Sequence, residues 1–336
     1  MIFARELGNT LRHCLETDPR TVILGEDILD PYGGAFKVTQ GLSTDYPERV
    51  YTTPVSEAAI AGIAAGLALG GWRPITEIMF GDFIALCFDQ IMNHIAKYEA
   101  IYNGRATCPV IIRTPSGGHR GYGPTHSQSL EKHFLGIPQL RIVAASLYHD
   151  PKQVFEHFLQ DDSPVLYFEH KLLYPQPISL PANGQIGDAI ANDDASPGFL
   201  PTVCLSYVPR EECTTSILAY GYQASLAAHV LEKLAMEEEI FAELLVPAQI
   251  APMDWGPIER SVRITGSLVT IEEGTGGWSW GTEAAAVIGK ALFGKLRRPV
   301  EILASERTVI PSAKRLEGDM LVGPKHIERT IREAAS

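Results

Sequence analysis

A carboxylate stands at the beginning of an apolar stretch that is rich in glycine and alanine. Residues Thr53–Glu57 read Thr-Pro-Val-Ser-Glu, and the pattern behind Pro54 predicts a helix over Ser56–Leu69 with Ser56 as its N-terminal cap. The chemistry open to such a carboxylate is proton exchange with a bound group. A glutamate in the first turn also complements the helix dipole, and from spacing alone this structural role is the better interpretation of Glu57.

Two histidines and an arginine lie in a glycine-rich loop. The loop, Thr114–Gln128, follows a predicted strand and contains His119, Arg120 and His126. A single histidine is usually a structural residue. Because α/β proteins place their sites at the C-terminal ends of strands, two histidines in this position favour a functional role.

Phosphate-binding motifs are missing from the sequence. It contains no P-loop, and no G-x-G-x-x-G stands between a predicted strand and helix. The glycine-rich stretch Gly274–Gly281 holds two tryptophans without that spacing, so a flexible turn before a helix is the better interpretation.

Three glycines recur at every fourth residue of the predicted helix. Gly62, Gly66 and Gly70 therefore lie on one helix face and permit close backbone packing. Two interpretations stay open: a tight helix–helix contact across a subunit boundary, and a crowded internal core.

The elements that position these residues alternate between strands and helices. Such alternation predicts an α/β fold with mostly parallel sheets covered on both faces. A stretch rich in proline and glycine interrupts it, which predicts two domains at 1–175 and 213–336 joined by a linker at 176–212. The predicted strands are 22–25, 74–78, 110–112, 140–144, 165–168, 216–220, 241–245, 268–272 and 300–304, and the predicted helices are 56–69, 82–102, 224–236, 282–293 and 325–335.

Composition excludes several classes of protein. The chain has 336 residues, which suits two domains, and a formal net charge of −12, which argues against nucleic acids and anionic membranes as partners. Its longest apolar stretch, 58–71, is too short for a membrane span. The five cysteines have no metal-finger spacing, so we expect reduced, mostly buried thiols and a cytoplasmic protein.

Ordered motifs over nearly the whole chain resemble the beta subunits of the thiamine-diphosphate-dependent 2-oxoacid dehydrogenases, which act on pyruvate, branched-chain 2-oxoacids or acetoin. Thr53–Glu57 resembles the family's T-P-I-S-E motif, and His126–Gln128 is its H-S-Q motif. Further matching segments are 25–27, 33–42, 49–50, 73–77, Phe83, 88–91, 96–97, 272–274, 276–277 and 281–283. The resemblance implies two α/β/α domains, an N-terminal pyrimidine-binding transketolase-like domain and a C-terminal transketolase-like domain.

The resemblance also implies roles for matching residues. In such enzymes the glutamate at the position of Glu57 bonds N1′ of the cofactor's aminopyrimidine and favours loss of the thiazolium C2 proton. Phe83 and Val55 match residues that contact the aminopyrimidine, Val55 mainly through its backbone. His126 matches a histidine over the thiazolium that assists acyl transfer to a lipoyl arm. The cofactor role implied by the resemblance therefore replaces the purely structural role at the helix N-terminus as the interpretation of Glu57.

Ions and partners follow from the same resemblance. Some family members hold a potassium ion, which by position involves Val110, Phe158, Leu159, Asp161 and Ser163 here. Family cofactor sites bind Mg²⁺ and diphosphate through a G-D-G…N motif, and the chain contains no G-D-G. We therefore expect an alpha subunit to supply that half, in an α2β2 heterotetramer in which the Gly62 helix is a packing element. A lipoyl-bearing acyltransferase core is a further expected partner.

The second half of the chain departs from the family pattern. Residues 246–250 replace a usual Asp-Leu-Arg-like stretch, and 305–311 lacks the usual aspartate. Two alternatives to a lipoyl-linked dehydrogenase stay open. One is a two-chain thiamine-dependent synthase or transketolase-like enzyme of a biosynthetic pathway, and the other is a non-catalytic chain that stabilises an alpha partner.

Overall fold

The structure, a computed structural model, describes residues 1–180, 189–190 and 196–335. These residues form two α/β/α units, each built on one sheet, as expected from the alternation of strands and helices. Of the predicted linker, 181–188 and 191–195 lie outside the described residues, while two strands within 176–212 belong to the second sheet. The strands are β1 Thr21–Gly25, β2 Val50–Thr52, β3 Arg73–Glu77, β4 Ile111–Ser116, β5 Arg141–Ala144, β6 Val165–His170, β7 Ala189–Ile190, β8 Thr202–Leu205, β9 Thr215–Ala219, β10 Ala242–Pro247, β11 Gln249–Ala251, β12 Leu268–Thr275 and β13 Glu301–Ser305.

The first sheet has seven strands in the order β11-β5-β6-β4-β3-β1-β2. Six of them are parallel, and β11 is antiparallel to β5. Every residue of β1, β4 and β6 is buried, because helices cover both faces of a parallel sheet. The edge strand β11 comes from the second half of the chain, so the first sheet is completed by residues far away in sequence.

The second sheet has six strands in the order β13-β12-β9-β10-β8-β7. The strands β13, β12, β9 and β10 are parallel, and β8 and β7 add an antiparallel edge. The loop after β4 in the first sheet meets the C-terminal part of β12 in the second sheet where the two units pack together.

Ten α-helices surround the two sheets in the described part of the chain. They are α1 Phe3–Thr17, α2 Leu42–Asp45, α3 Glu57–Leu69, α4 Tyr98–Ile101, α5 Pro151–Leu159, α6 Gly221–Glu238, α7 Gly256–Thr265, α8 Trp280–Ala291, α9 Lys314–Met320 and α10 Pro324–Ala335. Short 3₁₀ turns occupy Glu131–His133 and Arg210–Glu212. None of the helices in the described residues combines the length and apolar character that a bilayer crossing requires.

The predicted long helix over 82–102 is wrong in its geometry. The segment forms a 3₁₀ helix at Gly81–Cys87, a π-helix at Gln90–Ile95 and then the single turn α4. A side chain at Gly81 would approach the Cβ of Ser116 to 3.0 Å, so the segment is pressed against the end of β4. Tight contact of this kind and π-turns are typical of functional regions, and periodicity alone does not reveal them.

A buried ion cluster joins three strands of the first sheet. Arg113 on β4 bonds Glu77 on β3 and forms a bidentate pair with Glu169 on β6, at 2.8 and 2.7 Å. Tyr174 donates to Glu169 at 2.6 Å. Because each buried charge has a bonded partner, the cluster fixes the strand order near the C-terminal ends, where the site lies.

One hydrophobic cluster is shared by the two units. It contains Ile60 and Ala64 of α3 together with Tyr220 and Trp280 of the second unit, whose rings lie 4.9 Å apart. The two other clusters pack on the remaining face of each sheet. All five cysteines are buried and none forms a disulfide, as predicted.

Candidate active site

A pair of buried carboxylates marks one side of the candidate site. Glu57 begins α3 and is 6% exposed, and Glu26, directly after β1, is 5% exposed. Burial raises the pKa of Glu26, and the nearby charges of Glu57 and Asp27 raise it further. Oε1 of Glu26 has no hydrogen-bond partner among the described residues, which is costly unless another group binds it. Ser56 stands at the N-terminus of α3 as predicted, but its side chain makes no capping bond.

An aromatic group brings two of the predicted site residues together. The ring of His126 lies edge-on to Phe83, with centroids 5.2 Å apart, and to Phe80, with centroids 5.0 Å apart. Phe83 lies on the 3₁₀ helix at 81–87, which packs directly against α3 and so against the helix that begins with Glu57. All three rings are partly exposed. The Phe80 and Phe83 rings stand at 82° to each other and form an apolar wall beside an imidazole, which suits a heteroaromatic ligand.

The H-S-Q segment is held from two directions within the first unit. Asp82 accepts hydrogen bonds from the main-chain and side-chain nitrogens of Gln128, at 3.1 and 2.9 Å. Nζ of Lys171, just after β6, donates to the main-chain oxygen of His126 at 2.8 Å. Burial lowers the pKa of Lys171 to about 8, with Asp82 and Glu273 opposing the shift. His126 is therefore held by its backbone while its ring faces Phe83.

The second unit contributes a buried carboxylate to the same loop. Oε1 of Glu273 on β12 accepts from the Gly118 main-chain nitrogen at 2.7 Å and from Ser129 Oγ at 3.1 Å. Its Oε2 lies 3.0 Å from Nε2 of His170 and 3.4 Å from Nε2 of His119. Burial opposes ionisation, but the contacts with the two histidines hold the pKa of Glu273 well below its usual value.

Of the two loop histidines, only His126 reaches the aromatic wall. His119 instead lies beside Glu273, and that carboxylate raises its pKa against the opposing effect of burial. Arg120 stacks over the rings of Phe36 and Tyr122, at 5.8 and 5.0 Å. The loop therefore places His126 at the aromatic wall, while His119 contacts Glu273 and Arg120 contacts two rings, and a functional role for the loop stays a prediction.

Four residues of the site carried no functional assignment from the sequence: Glu26, Asp82, Lys171 and Glu273. Glu26 and Glu273 lie within matching motifs, but only the fold shows which groups they meet. Asp82 stands one residue before Phe83, and its position next to a predicted cofactor-binding residue is a signal in the sequence that it lies in the site. Nothing in the local sequence of Lys171 connects it to a loop 45 residues away.

One side of the candidate site is open. Val55, just before α3, is 81% exposed, and a Cβ at Gly62 or Gly66 would meet nothing within 4 Å. Ile63 on α3 and Leu86 on the 3₁₀ helix are also exposed and apolar. The crowded-core interpretation of the glycines is therefore wrong, and the glycine face of α3 is free to contact another chain.

The residues predicted to hold potassium lie directly before β4 (Val110), in the last turn of α5 (Phe158 and Leu159) and just after it (Asp161 and Ser163). Asp161 forms an ion pair with Arg141 at 2.5 Å and accepts from the Ser163 main-chain nitrogen at 2.9 Å. The main-chain oxygen of Val110 accepts a hydrogen bond from the Val165 nitrogen. The main-chain oxygen of Phe158 accepts from Gln160 and Asp161, and Leu159 is the last residue of α5. Arg141 thus supplies the positive charge that Asp161 requires, and a potassium ion there would compete with this pair. No group of His, Cys, Asp or Glu suited to a metal occurs among the described residues.

Two family descriptions together match most of the chain. "Transketolase, pyrimidine binding domain" matches residues 3–177, and "Transketolase, C-terminal domain" matches residues 206–327. The first contains Glu57, Phe83 and His126, and the second contains Glu273. The expected pair of transketolase-like domains is thereby confirmed.

Curated relatives cover nearly the full length of the chain. The "Pyruvate dehydrogenase E1 component subunit beta" of Leifsonia xyli is 37% identical over 92% of this chain and 88% of its own. The "2-oxoisovalerate dehydrogenase subunit beta" of Bacillus subtilis is 32% identical over 100% and 98%. The beta subunit of the acetoin:2,6-dichlorophenolindophenol oxidoreductase of Cupriavidus necator is 33% identical over 89% and 87%. These matches confirm the resemblance drawn from the motifs.

Among solved structures, a split-gene transketolase described as an inactive beta4 tetramer covers 100% of this chain and 99% of its own, with a TM-score of 0.71. Its sequence is 18% identical, so the likeness concerns the fold. A transketolase from Leishmania mexicana gives a TM-score of 0.63, and this chain covers 45% of it. The arrangement of the two units is thus that of transketolases.

Proposed function

Because the chain belongs to the family of 2-oxoacid dehydrogenase E1 beta subunits, we propose that it forms the half of a thiamine-diphosphate site that activates the cofactor. The observation that carries the proposal is the contact between the rings of His126 and Phe83. Phe83 lies on the 3₁₀ helix that packs on α3, and Glu57 is the first residue of α3. The enzyme decarboxylates a 2-oxoacid and transfers the acyl group to a lipoyl carrier. Its two domains span residues 1–175 and 213–336, and the linker between them contributes β7 and β8 to the second sheet. The enzyme acts in the cytoplasm, where its free thiols stay reduced.

The residues fit the aminopyrimidine half of the cofactor. With the cofactor bound, Glu57 would hold a proton at the ring nitrogen, Phe83 would pack against the ring, and the backbone at Val55 would contact it. The unpartnered oxygen of Glu26 gives this side a second buried carboxyl group. Thiamine diphosphate, when bound, supplies the carbon nucleophile and the electron sink for decarboxylation. His126 would hold or donate a proton at the acyl oxygen.

An alpha subunit completes the site in an α2β2 heterotetramer. The chain has no G-D-G motif, so the alpha subunit holds Mg²⁺ and the diphosphate. The exposed glycines of α3 and the apolar side chains of Val55, Ile63 and Leu86 surround the open side of the site. Such a surface suits a closely packed partner helix, and its burial also excludes water from the reacting groups.

The test uses the chain co-expressed with its alpha subunit and supplied with thiamine diphosphate and Mg²⁺. Pyruvate, branched-chain 2-oxoacids and acetoin are screened with an artificial electron acceptor, and acyl transfer is measured with a lipoyl domain. Glu57→Ala should lower turnover by at least about 100-fold, the usual scale for lost acid–base catalysis, while Glu99→Gln on the exposed turn α4 should not change it. Phe83→Ala should weaken cofactor binding, and Phe293→Ala, an exposed control, should not.

Retained turnover in Glu57→Ala would remove the catalytic assignment and support a chain that merely stabilises its partner. Turnover of no 2-oxoacid would defeat the dehydrogenase proposal. Decarboxylation without acylation of any lipoyl domain would favour a two-chain synthase instead.

A further inference from the structure

The loop that presents His126 is tied at both ends to one carboxylate oxygen. Gly118 lies near the start of the loop and Ser129 directly after its last residue, and both donate to Oε1 of Glu273. The loop base is also closed by a backbone bond from Gly117 to Gln128, at 3.1 Å. A single atom of the second unit therefore joins the two loop ends in the first unit and supports this backbone closure.

The other oxygen of Glu273 is fully engaged as well. Oε2 accepts from Nε2 of Gln223 at 3.1 Å and contacts His170 at 3.0 Å. The ring of His170 stacks on Tyr222, with centroids 4.6 Å apart and an interplanar angle of 18°. A carboxylate surrounded by donors on both oxygens has no capacity left to take a proton from substrate, so any role in the reaction is indirect.

A second carboxylate from the same unit holds the middle of the loop. Oε2 of Glu317 on α9 accepts from the Gly121 main-chain nitrogen at 2.7 Å, and Glu317 is completely buried. Gly117, His119, Gly121 and Gly123 all have positive φ angles, from 65° to 85°. Glycine-rich turns of this kind lose much conformational entropy on ordering, so they need external bonds to keep one shape.

We propose that Glu273, assisted by Glu317, is a positioning residue that holds the His126 loop in its acyl-transfer geometry and couples that geometry to the packing of the two units. The inference rests on the role proposed for His126. It goes beyond that role because it assigns the control of the loop to the transketolase C-terminal domain. A displacement of about 1 Å at a reacting group can cost roughly 100-fold in rate, so loosening these bonds is expected to be visible in turnover.

Glu272 provides a matched control on the same strand. It is also buried, but its Oε1 accepts from Ser279 at 2.5 Å and from the Gly281 main-chain nitrogen at 3.0 Å. Those bonds organise the beginning of α8 and do not reach the loop. Glu272→Gln and Glu273→Gln therefore change the same chemistry at adjacent positions, and only the second changes the tie to Gly118.

The experiment compares the two variants in the assembled holoenzyme. We expect Glu273→Gln to lower kcat for acylation of a lipoyl domain by about 10- to 100-fold, to leave KM for the 2-oxoacid unchanged, and to reduce decarboxylation with an artificial acceptor much less. Amide hydrogen exchange should accelerate over residues 117–129 and stay constant over β1 and β3. Glu272→Gln should keep both rates and the loop protection.

Equal loss of both activities in proportion to thermal stability, with loop exchange unchanged, would overturn the proposal, because Glu273 would then act only in domain packing. If Glu273→Gln does not assemble with the alpha subunit, Glu317→Ala is used in its place. This variant should also accelerate amide exchange in the loop and slow acylation. Unchanged loop exchange and unchanged acylation in Glu317→Ala would overturn the proposal. His126→Ala is run beside them. If it transfers acyl groups normally, the role of His126 fails, while the exchange data still decide whether Glu273 holds the loop.

Discussion

Lys171 donates a hydrogen bond to the main-chain oxygen of His126 at 2.8 Å, although the lysine side chain is completely buried. Its Nζ also lies 5.5 Å from the centroid of the Phe80 ring. Because burial lowers the pKa of this lysine to about 8, a positive charge behind the site is present at neutral pH and is lost in mildly alkaline solution.

The free energy of unfolding should rise with pH because of Lys171. Its pKa is about 8 in the folded chain and 10.5 without burial, so between these values the folded state releases a proton that the unfolded state keeps. Stability measured by urea denaturation at several pH values should therefore increase over this window relative to Lys171→Met. Lys152→Met, at an exposed lysine, should behave as the unmodified chain does. Parallel pH profiles for the unmodified chain and Lys171→Met would refute this expectation.

Glu131 should produce the opposite dependence at lower pH. Burial raises its pKa from 4.5 to about 8, so the folded chain retains a proton that the unfolded chain loses above 4.5. Its contribution to stability is complete below pH 4.5 and is lost as the pH rises to about 8. Glu131→Gln should remove this decline and gain stability at pH 8 and above. Denaturation of Glu131→Gln is compared with that of Glu333→Gln, at an exposed carboxylate on α10. Identical pH profiles of the two variants would mean that Glu131 is ionised at neutral pH.

A bulky side chain on the glycine face of α3 should block assembly but not folding. A Cβ at Gly66 meets nothing within 4 Å in the chain, so Gly66→Trp has space in the isolated subunit. We expect its thermal stability to remain within about 1 kcal/mol of the unmodified chain, and its complex with the alpha subunit to disappear in size-exclusion chromatography. Gly289→Trp on α8, equally open, is the control for the cost of replacing a helical glycine. Normal assembly of Gly66→Trp would place the partner elsewhere.

The ion pair between Arg141 and Asp161 predicts how the chain responds to potassium. Because the guanidinium already balances this carboxylate, KCl and choline chloride at equal ionic strength should give the same Tm. Arg141→Met leaves Asp161 unpaired and should acquire a stabilisation that is specific to potassium. A potassium-dependent Tm in the unmodified chain would instead show that the ion binds beside the arginine.

Nine of the thirteen strands in the described residues and the start of α3 could be predicted because their signals are local, whereas β2, β7, β8 and β11 are not among the predicted strands. Strands of a parallel sheet are buried on both faces, so β1 and β6 appear as short apolar runs. Pro54 predicts the start of the helix that begins at Glu57. The matching motifs assigned His126 and Phe83 to one cofactor without predicting a contact between them, and the structure brings the two rings together.

Other features depend on contacts between distant segments and have no local signal. The 3₁₀ and π geometry over 81–95 results from packing against β4, which the helical periodicity does not record. The bonds of Glu273 and Lys171 to the His126 loop span 155 and 45 residues. A buried glutamate or lysine is rare without a partner, but the sequence does not say which partner the fold supplies.

The strand β11 has a consequence for how the chain can be divided. Gln249–Ala251 belongs to the second half of the chain, yet it covers the outer edge of β5 in the first sheet, and the Ala144 nitrogen donates to the Ala248 oxygen at 2.9 Å. A fragment that ends between the two family matches would leave β5 as a bare edge, open to pairing with other copies. The first sheet is therefore complete only after the chain has been synthesised to Ala251, 81 residues beyond the end of β6 at His170. We expect the two halves to unfold together and not as two independent modules.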